Sequence, residues 1–152
     1  MIVYRISDCK YINDLSGKGA SLFDGRWHSK GTYVVYTAES RALALLENVV
    51  HRAMIPANSL CMATIEIPDN NIENFPMEKL PPGWYSNPSP NYLKPIGDNF
   101  IRAGKYLALK LPSALMMEEH NYLLNPAHPS FSKVKITTER SISIDERLFP
   151  VK

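Results

Sequence analysis

Three segments of this sequence hold the side chains that could do chemistry. The first runs from Gly17 to Gly31 and sets an arginine beside an indole in Asp24-Gly25-Arg26-Trp27-His28. Glycines let backbone approach a ligand closely, and a guanidinium offers a planar donor fork for a phosphate or a ribose. Taken alone, Arg26 reads sooner as a structural or surface arginine, and Trp27 as a packing residue. The spacing is neither that of a phosphate loop ending in Lys-Ser/Thr nor that of a dinucleotide fingerprint. The second feature is Glu47, a carboxylate beside an apolar helical stripe. Burial disfavours its charged form, so it needs a cationic neighbour, for which Arg26 is a candidate, or a catalytic purpose. A structural ion pair is the plain alternative. The third is Leu111-Pro112-Ser113, followed by the stretch from Asn121 to Pro129. No Gly-x-Ser-x-Gly elbow surrounds Ser113, which argues for a hydrogen-bonding serine over a nucleophile. Asn121 and Asn125 read as turn formers around Pro126, and His128 as a cap or a packing residue.

These residues need a scaffold, and its pattern is α+β. Alternation and β-branched content predict strands near Ile2–Ile6, Tyr33–Thr37, Leu60–Ile67, Tyr106–Leu111 and Val134–Ile144. From Glu39 to Met54, Ala42, Leu45, Leu46, Val49, Val50 and Ala53 recur at the spacing of one helix face and are expected to face the core. Thr37 is the expected N-cap, with Glu39 in the first turn. A second helix is expected over Asn91–Lys105, its first half weakened by Pro95 and Gly97. The run from Leu80 to Pro88 is too rich in proline and glycine for a regular element and reads as a loop over a cleft.

A length of 152 residues suits one domain spanning 1–152, and 45% hydrophobic with 21% charged residues is the balance of a folded chain. The formal charge of +2 comes from 17 basic and 15 acidic side chains with no dense basic block, so direct DNA binding is not expected. Cys9 and Cys61 lack metal-ligand spacing and follow no secretory segment, which argues against a disulfide and for a reducing cytoplasm. No apolar run approaches the roughly 20 residues of a membrane span. His28, His51, His120 and His128 are scattered, so no metal site is expected.

Taken in order, these segments resemble the RES domain, a family named after its arginine, glutamate and serine. The resemblance rests on Gly19-Ala20, Asp24-Gly25-Arg26-Trp27-His28, Tyr33-Val34-Val35-Tyr36-Thr37, Glu39-Ser40 and Glu47. It continues through Gly97-Asp98, Leu111-Pro112-Ser113 and the Asn-x-x-x-Asn-Pro-x-His-Pro segment from Asn121 to Pro129, and so spans most of the chain. Asp24 stands where the family pattern has glycine, and His28 where it has asparagine.

The resemblance implies a fold similar to the ADP-ribosyltransferase toxins, with a split, mixed and largely antiparallel sheet flanked by helices around an NAD+ cleft. It implies the toxin of a bacterial toxin–antitoxin pair that degrades NAD+ by cleaving the nicotinamide–ribose bond, through hydrolysis or phosphorolysis. Glu47, Arg26 and Ser113 become the expected catalytic set, with Tyr36, Arg5 and Asn125 joining Arg26 and Ser113 around NAD+. No cofactor beyond NAD+ as substrate is implied, and an Xre-type antitoxin is the expected partner, blocking the cleft and carrying the DNA-binding function. A homo-oligomer within that complex is left open. The rival readings are a protein ADP-ribosyltransferase using the same site, and a catalytically silent binding module, which the intact Arg26, Glu47 and Ser113 set disfavours.

Overall fold

A computed structural model describes residues 1–51 and 59–148. Strand β1 (Ile2–Asp8) sends Val3 into one apolar cluster and Tyr4 and Ile6 into another, as a strand covered on both faces does. It pairs antiparallel along its whole length with β3 (Leu60–Glu66), which in turn pairs with β7 (Lys135–Ser141). The other half of the sheet holds β4 (Ile72–Asn74), β5 (Ala108–Pro112), β6 (His120–Leu124) and β2 (Val35–Ala38). Here only β4 and β5 run parallel. The complete order is β4-β5-β6-β2-β1-β3-β7. A single register pair, Tyr4 with Ala38, joins the halves, so this is the split mixed sheet of the α+β expectation.

Neighbouring strand residues fall on opposite faces. Ala108 and Leu124 belong to the cluster built on Val3, Ile65 and Leu107, whereas Leu109 and Leu123 pack with Trp27, Leu93 and Phe100. Strands β4 and β6 were not expected. The Asn121–Asn125 stretch read as turn residues, yet Tyr122, Leu123 and Leu124 between them are buried, and that burial makes Asn121 a strand residue.

Short helix α1 (Lys18–Ser21) lies in the glycine-rich segment. Helix α2 (Arg41–His51) starts later than expected: Ser40 Oγ accepts the Leu43 amide at 3.0 Å and caps the helix, while Thr37 lies in β2 and donates to the Tyr122 carbonyl. Glu39 therefore precedes the helix. The exposed and buried faces of α2 also correct the expectation. Leu43 and Ala44 are buried, Leu45 and Val49 half-buried, and Ala42, Leu46 and Val50 exposed. The helix is turned so that Glu47 and Asn48 face the sheet, where polar partners await them, Asn48 donating to the Ile6 carbonyl. Periodicity alone could not weigh those partners. Ala53 and Met54 lie outside the described residues.

Helix α3 (Lys94–Ala103) follows a 3₁₀ turn over Asn91–Leu93 and ends on Gly104, whose φ of 59° is the left-handed cap conformation. Pro95 sits in its first turn, where its missing amide costs nothing, so it starts the helix and does not weaken it.

Cys9 and Cys61 form a disulfide, against the expectation of free thiols. Cys9 follows β1 and Cys61 lies in β3. The pairing of Ser7 with Cys61 and Asp8 with Leu60 brings the two Cα atoms to 4.7 Å despite 52 residues of separation. Spacing along the chain carried no trace of that pairing.

Candidate active site

Glu47 is the point on which three elements converge. Its Oε1 accepts the Ser113 hydroxyl at 2.8 Å, from the chain leaving β5, and the Asn121 amide at 2.5 Å, from β6. Its Oε2 lies 3.5 Å from Nε2 of His51, one turn along α2 and largely exposed. The two oxygens therefore differ: Oε1 is fixed by buried donors, and Oε2 points to the rim. Burial pushes the Glu47 carboxyl up, but His51, Asn121 and Ser113 together outweigh it and hold the carboxyl below its ordinary value. The result is a half-buried carboxylate kept ionised.

Ser113 is completely buried. Its Oγ donates to Glu47 and accepts the amides of Leu115 at 3.1 Å and Met116 at 3.4 Å. It positions the carboxylate, one of the two roles expected of it.

Arg26 extends from the glycine-rich loop, and its Nη1 donates to the carbonyls of Trp84 at 2.7 Å and Ser86 at 3.2 Å. Among the described residues no ion pair joins it to Glu47. Burial lowers its pKa, and the charges of Glu47 and Tyr36 act against that, so the two groups share a field without contact. The guanidinium thus ties the proline-rich loop to the glycine-rich one.

Trp27 and Trp84 pack with ring centroids 6.0 Å apart, and both are buried. A Cβ on Gly97 would overlap the Trp27 carbonyl, so α3 can press on the arginine loop only with glycine there. The neighbouring Asp98 accepts the Ser29 amide and hydroxyl and the Thr32 hydroxyl at 2.6–2.9 Å, clamping the far side of the same loop. Tyr36, on β2, packs in the cluster with Trp27, and burial drives its phenol far above the ordinary range.

Arg26, Tyr36, Glu47 and Ser113 are thereby gathered on the α2 side of the sheet. Arg5 and Asn125 are not. Arg5 shares the parity of Val3, opposite to Tyr4 and Ile6, which pack with α2, and it donates to the carbonyls of Ile12 and Asp14. Asn125 is buried past the end of β6, accepting the Ala127 amide and donating to the Ile101 carbonyl. Two contributors went unassigned in the sequence. His51 was readable as the i+4 partner of Glu47. Asn121 lay inside the Asn-x-x-x-Asn-Pro-x-His-Pro motif, but its strand was missed. Among the described residues no group of three or more His, Cys, Asp or Glu is placed to hold a metal ion.

Comparisons with known proteins identify the family. The family model described as the RES domain matches residues 2–145. A protein named Toxin Res from Pseudomonas putida is 38% identical, covering 98% of this chain and 100% of its own length. Another Toxin Res, from Photorhabdus laumondii, is 35% identical over 100% of this chain and 99% of that relative. The Prs ADP-ribosylating toxin of Sphingobium sp. is 36% identical, over 90% of this chain and 87% of its own. Among solved structures, a chain of the M. tuberculosis MbcT–MbcA toxin–antitoxin complex superposes with a TM-score of 0.75 at 15% identity, over 93% of this chain and 84% of that one, which is a likeness of fold.

Proposed function

The chain belongs to the RES domain family, and from that premise we propose that it is the toxin of a bacterial toxin–antitoxin pair, an enzyme that degrades NAD+ at the nicotinamide–ribose bond. The observation that carries this reading is the Glu47 carboxylate, ionised and held by one oxygen while the other is turned outward.

Nicotinamide in NAD+ is a cationic leaving group, so its departure needs little acid assistance. What it needs is stabilisation of an oxocarbenium-like ribose. The bond from the ribose anomeric carbon to the pyridine nitrogen breaks, its electron pair staying with nicotinamide. Glu47 Oε2 accepts hydrogen bonds from the ribose hydroxyls and stabilises the positive charge that develops. An acceptor oxygen then bonds to the anomeric carbon, and its proton leaves to Glu47 or to solvent. Ser113 and Asn121 hold the carboxylate so that it need not reorganise as that charge appears. Arg26 grips the pyrophosphate or ribose by charge-assisted hydrogen bonds, and Tyr36 stacks on the nicotinamide. Arg5 and Asn125, which lie apart from Glu47, are given no part. The reaction as proposed uses no cofactor beyond the NAD+ it consumes, and no metal.

An enzyme that consumes NAD+ must be restrained in its host. The proposed partner is an Xre-type antitoxin that covers the cleft in the cytoplasm and carries the DNA-binding function, and a homo-oligomer of the toxin within that complex is compatible with it. Among the described residues no helix is long and apolar enough to cross a membrane. A second reading, transfer of ADP-ribose to a protein, is favoured by the name of the Sphingobium relative.

The test is to incubate the purified chain, freed of antitoxin, with NAD+ in buffer with and without phosphate, beside a Glu47→Gln control. Nicotinamide release that the control lacks is expected. Phosphate dependence marks a phosphorylase and independence a hydrolase. Release only when a protein acceptor is added marks the transferase, and silence under all three conditions would sink the enzymatic reading.

A further inference from the structure

We propose that His28 is a positioning residue that fixes the Tyr36 ring against the arginine loop, an inference that rests on the proposed NAD+ site for its functional consequence. His28 is only 3% exposed, so both of its ring nitrogens need partners inside the protein. Nε2 lies 2.9 Å from the Ala20 carbonyl, which can only accept, so Nε2 carries the hydrogen. In the neutral ring Nδ1 is then a lone pair. It lies 2.7 Å from the Tyr36 hydroxyl, so the phenol donates to the imidazole. The direction in which Tyr36 donates is thus set by the loop that carries Arg26.

The surrounding packing requires the same arrangement. The two rings meet at 5.4 Å between centroids and 55° between planes. A Cβ at Gly25 would overlap the imidazole and come within 2.9 Å of the Tyr36 hydroxyl, so the glycine before Arg26 leaves the room in which this pair sits. Arg26 therefore follows Gly25, which leaves room for the pair, and stands two residues before His28, which accepts the phenol. Substrate contacts from the loop and from β2 are held in one register, and His28 is the link.

The chemistry of this link separates two conservative variants. An asparagine places its carbonyl oxygen where Nδ1 stands, so His28→Asn keeps the acceptor for Tyr36 and loses the donor to Ala20. A glutamine reaches the Nε2 position instead, so His28→Gln keeps the Ala20 contact and loses the Tyr36 acceptor. Each variant loses one buried hydrogen bond and is destabilised to a similar extent. A purely structural role would make their activities fall together. The positioning role makes them diverge: His28→Asn stays within about threefold of wild type, whereas His28→Gln raises KM for NAD+ by about tenfold to a hundredfold with a smaller change in kcat.

The experiment has two arms. In the first, long-range ¹H–¹⁵N spectra of the folded chain read the His28 tautomer without any turnover. The tautomer with its hydrogen on Nε2 is expected, and the tautomer with its hydrogen on Nδ1 would overturn the proposal even if NAD+ is cleaved. The second arm measures KM and kcat for His28→Asn, His28→Gln, Tyr36→Phe and the Tyr36→Phe/His28→Gln double variant, with thermal unfolding of each. If His28 acts through the phenol, His28→Gln adds nothing once Tyr36 is phenylalanine. Equal losses in the Asn and Gln variants, or additive losses in the double variant, would overturn it. Should wild type release no nicotinamide at all, the enzymatic reading fails while the tautomer arm still decides the His28–Tyr36 link.

Discussion

Ser113 and Glu47, 66 positions apart in the sequence, meet through a single hydrogen bond in which the serine hydroxyl donates to Oε1 at 2.8 Å. The serine has no choice of direction: its oxygen already receives the amides of Leu115 and Met116, so its one proton is left for the carboxylate. A strand end in one half of the sheet thereby sets the orientation of a helix side chain lying over the junction.

Removing that hydroxyl tests the arrangement. Ser113→Ala takes away a donor that lowers the Glu47 carboxyl and leaves the Leu115 amide without its buried acceptor. Stability should fall by about 1–3 kcal/mol in urea unfolding, the usual cost of an orphaned buried group. With less to oppose burial, the Glu47 pKa rises, so the acid limb of kcat/KM for NAD+ should move to higher pH. An unshifted limb would show that Ser113 does not tune the carboxylate.

Asn121→Asp asks a harsher question of the same oxygen. The amide that donates at 2.5 Å becomes a second carboxylate facing Glu47 Oε1. Two carboxylates at that distance share a proton, and the pair titrates with one apparent pKa strongly raised. Nicotinamide release at neutral pH should drop by about tenfold or more, the general scale of losing one acid–base group. Asn121→Leu, which removes the donor without adding charge, should shift the acid limb less than Asn121→Asp does. Equal pH profiles for the two would contradict the like-charge argument.

How much of this was readable beforehand depends on the distance over which each determinant acts. Arg26, Tyr36, Glu47 and Ser113 stood out because each sits in a local motif, and the structure gathers them on one side of the sheet. The face that α2 buries was misread, because helical spacing ranks Leu46 and Val50 above a carboxylate, while partners on β5 and β6 decide the rotation. Asn121 was hidden by Pro126, whose turn signal overshadowed the short buried run that makes β6. The disulfide between Cys9 and Cys61 follows only from the β1–β3 register, which no local pattern encodes.

Glu47 also links stability to pH, with a sign that follows from its partners. Its carboxyl is held below the ordinary value, so the ionised form contributes stability that is fully present above the unfolded pKa. That contribution is lost as pH falls through the folded pKa. In Glu47→Gln the amide carbonyl can take over the contacts of Oε1, so the variant should fold, but it no longer titrates. The stability difference between wild type and variant should therefore narrow as pH falls from about 6 towards about 3. Urea denaturation at a series of pH values reads it directly, and a difference that stays constant or grows on acidification would mean that Glu47 is not held ionised.

Gly97→Ala sets two effects of known size against each other. In a helix interior alanine is favoured over glycine by about 1 kcal/mol, so the substitution would stabilise α3 in isolation. Here the new methyl group would overlap the Trp27 carbonyl, a backbone atom that cannot rotate away, and would also meet Leu123 at 3.3 Å. Overpacking of this kind costs about 1–3 kcal/mol, so the clash should win and the variant should unfold at lower urea. The displaced atom lies next to Arg26, so if this loop binds substrate as proposed, KM for NAD+ should rise with kcat less affected. Gly104→Ala serves as the control: it loses the left-handed cap geometry at φ 59° while a Cβ there meets nothing within 4 Å. It should lower stability with KM unchanged, and a matching rise in KM in both variants would show that loosening α3, and not the contact at Trp27, is what the arginine loop feels.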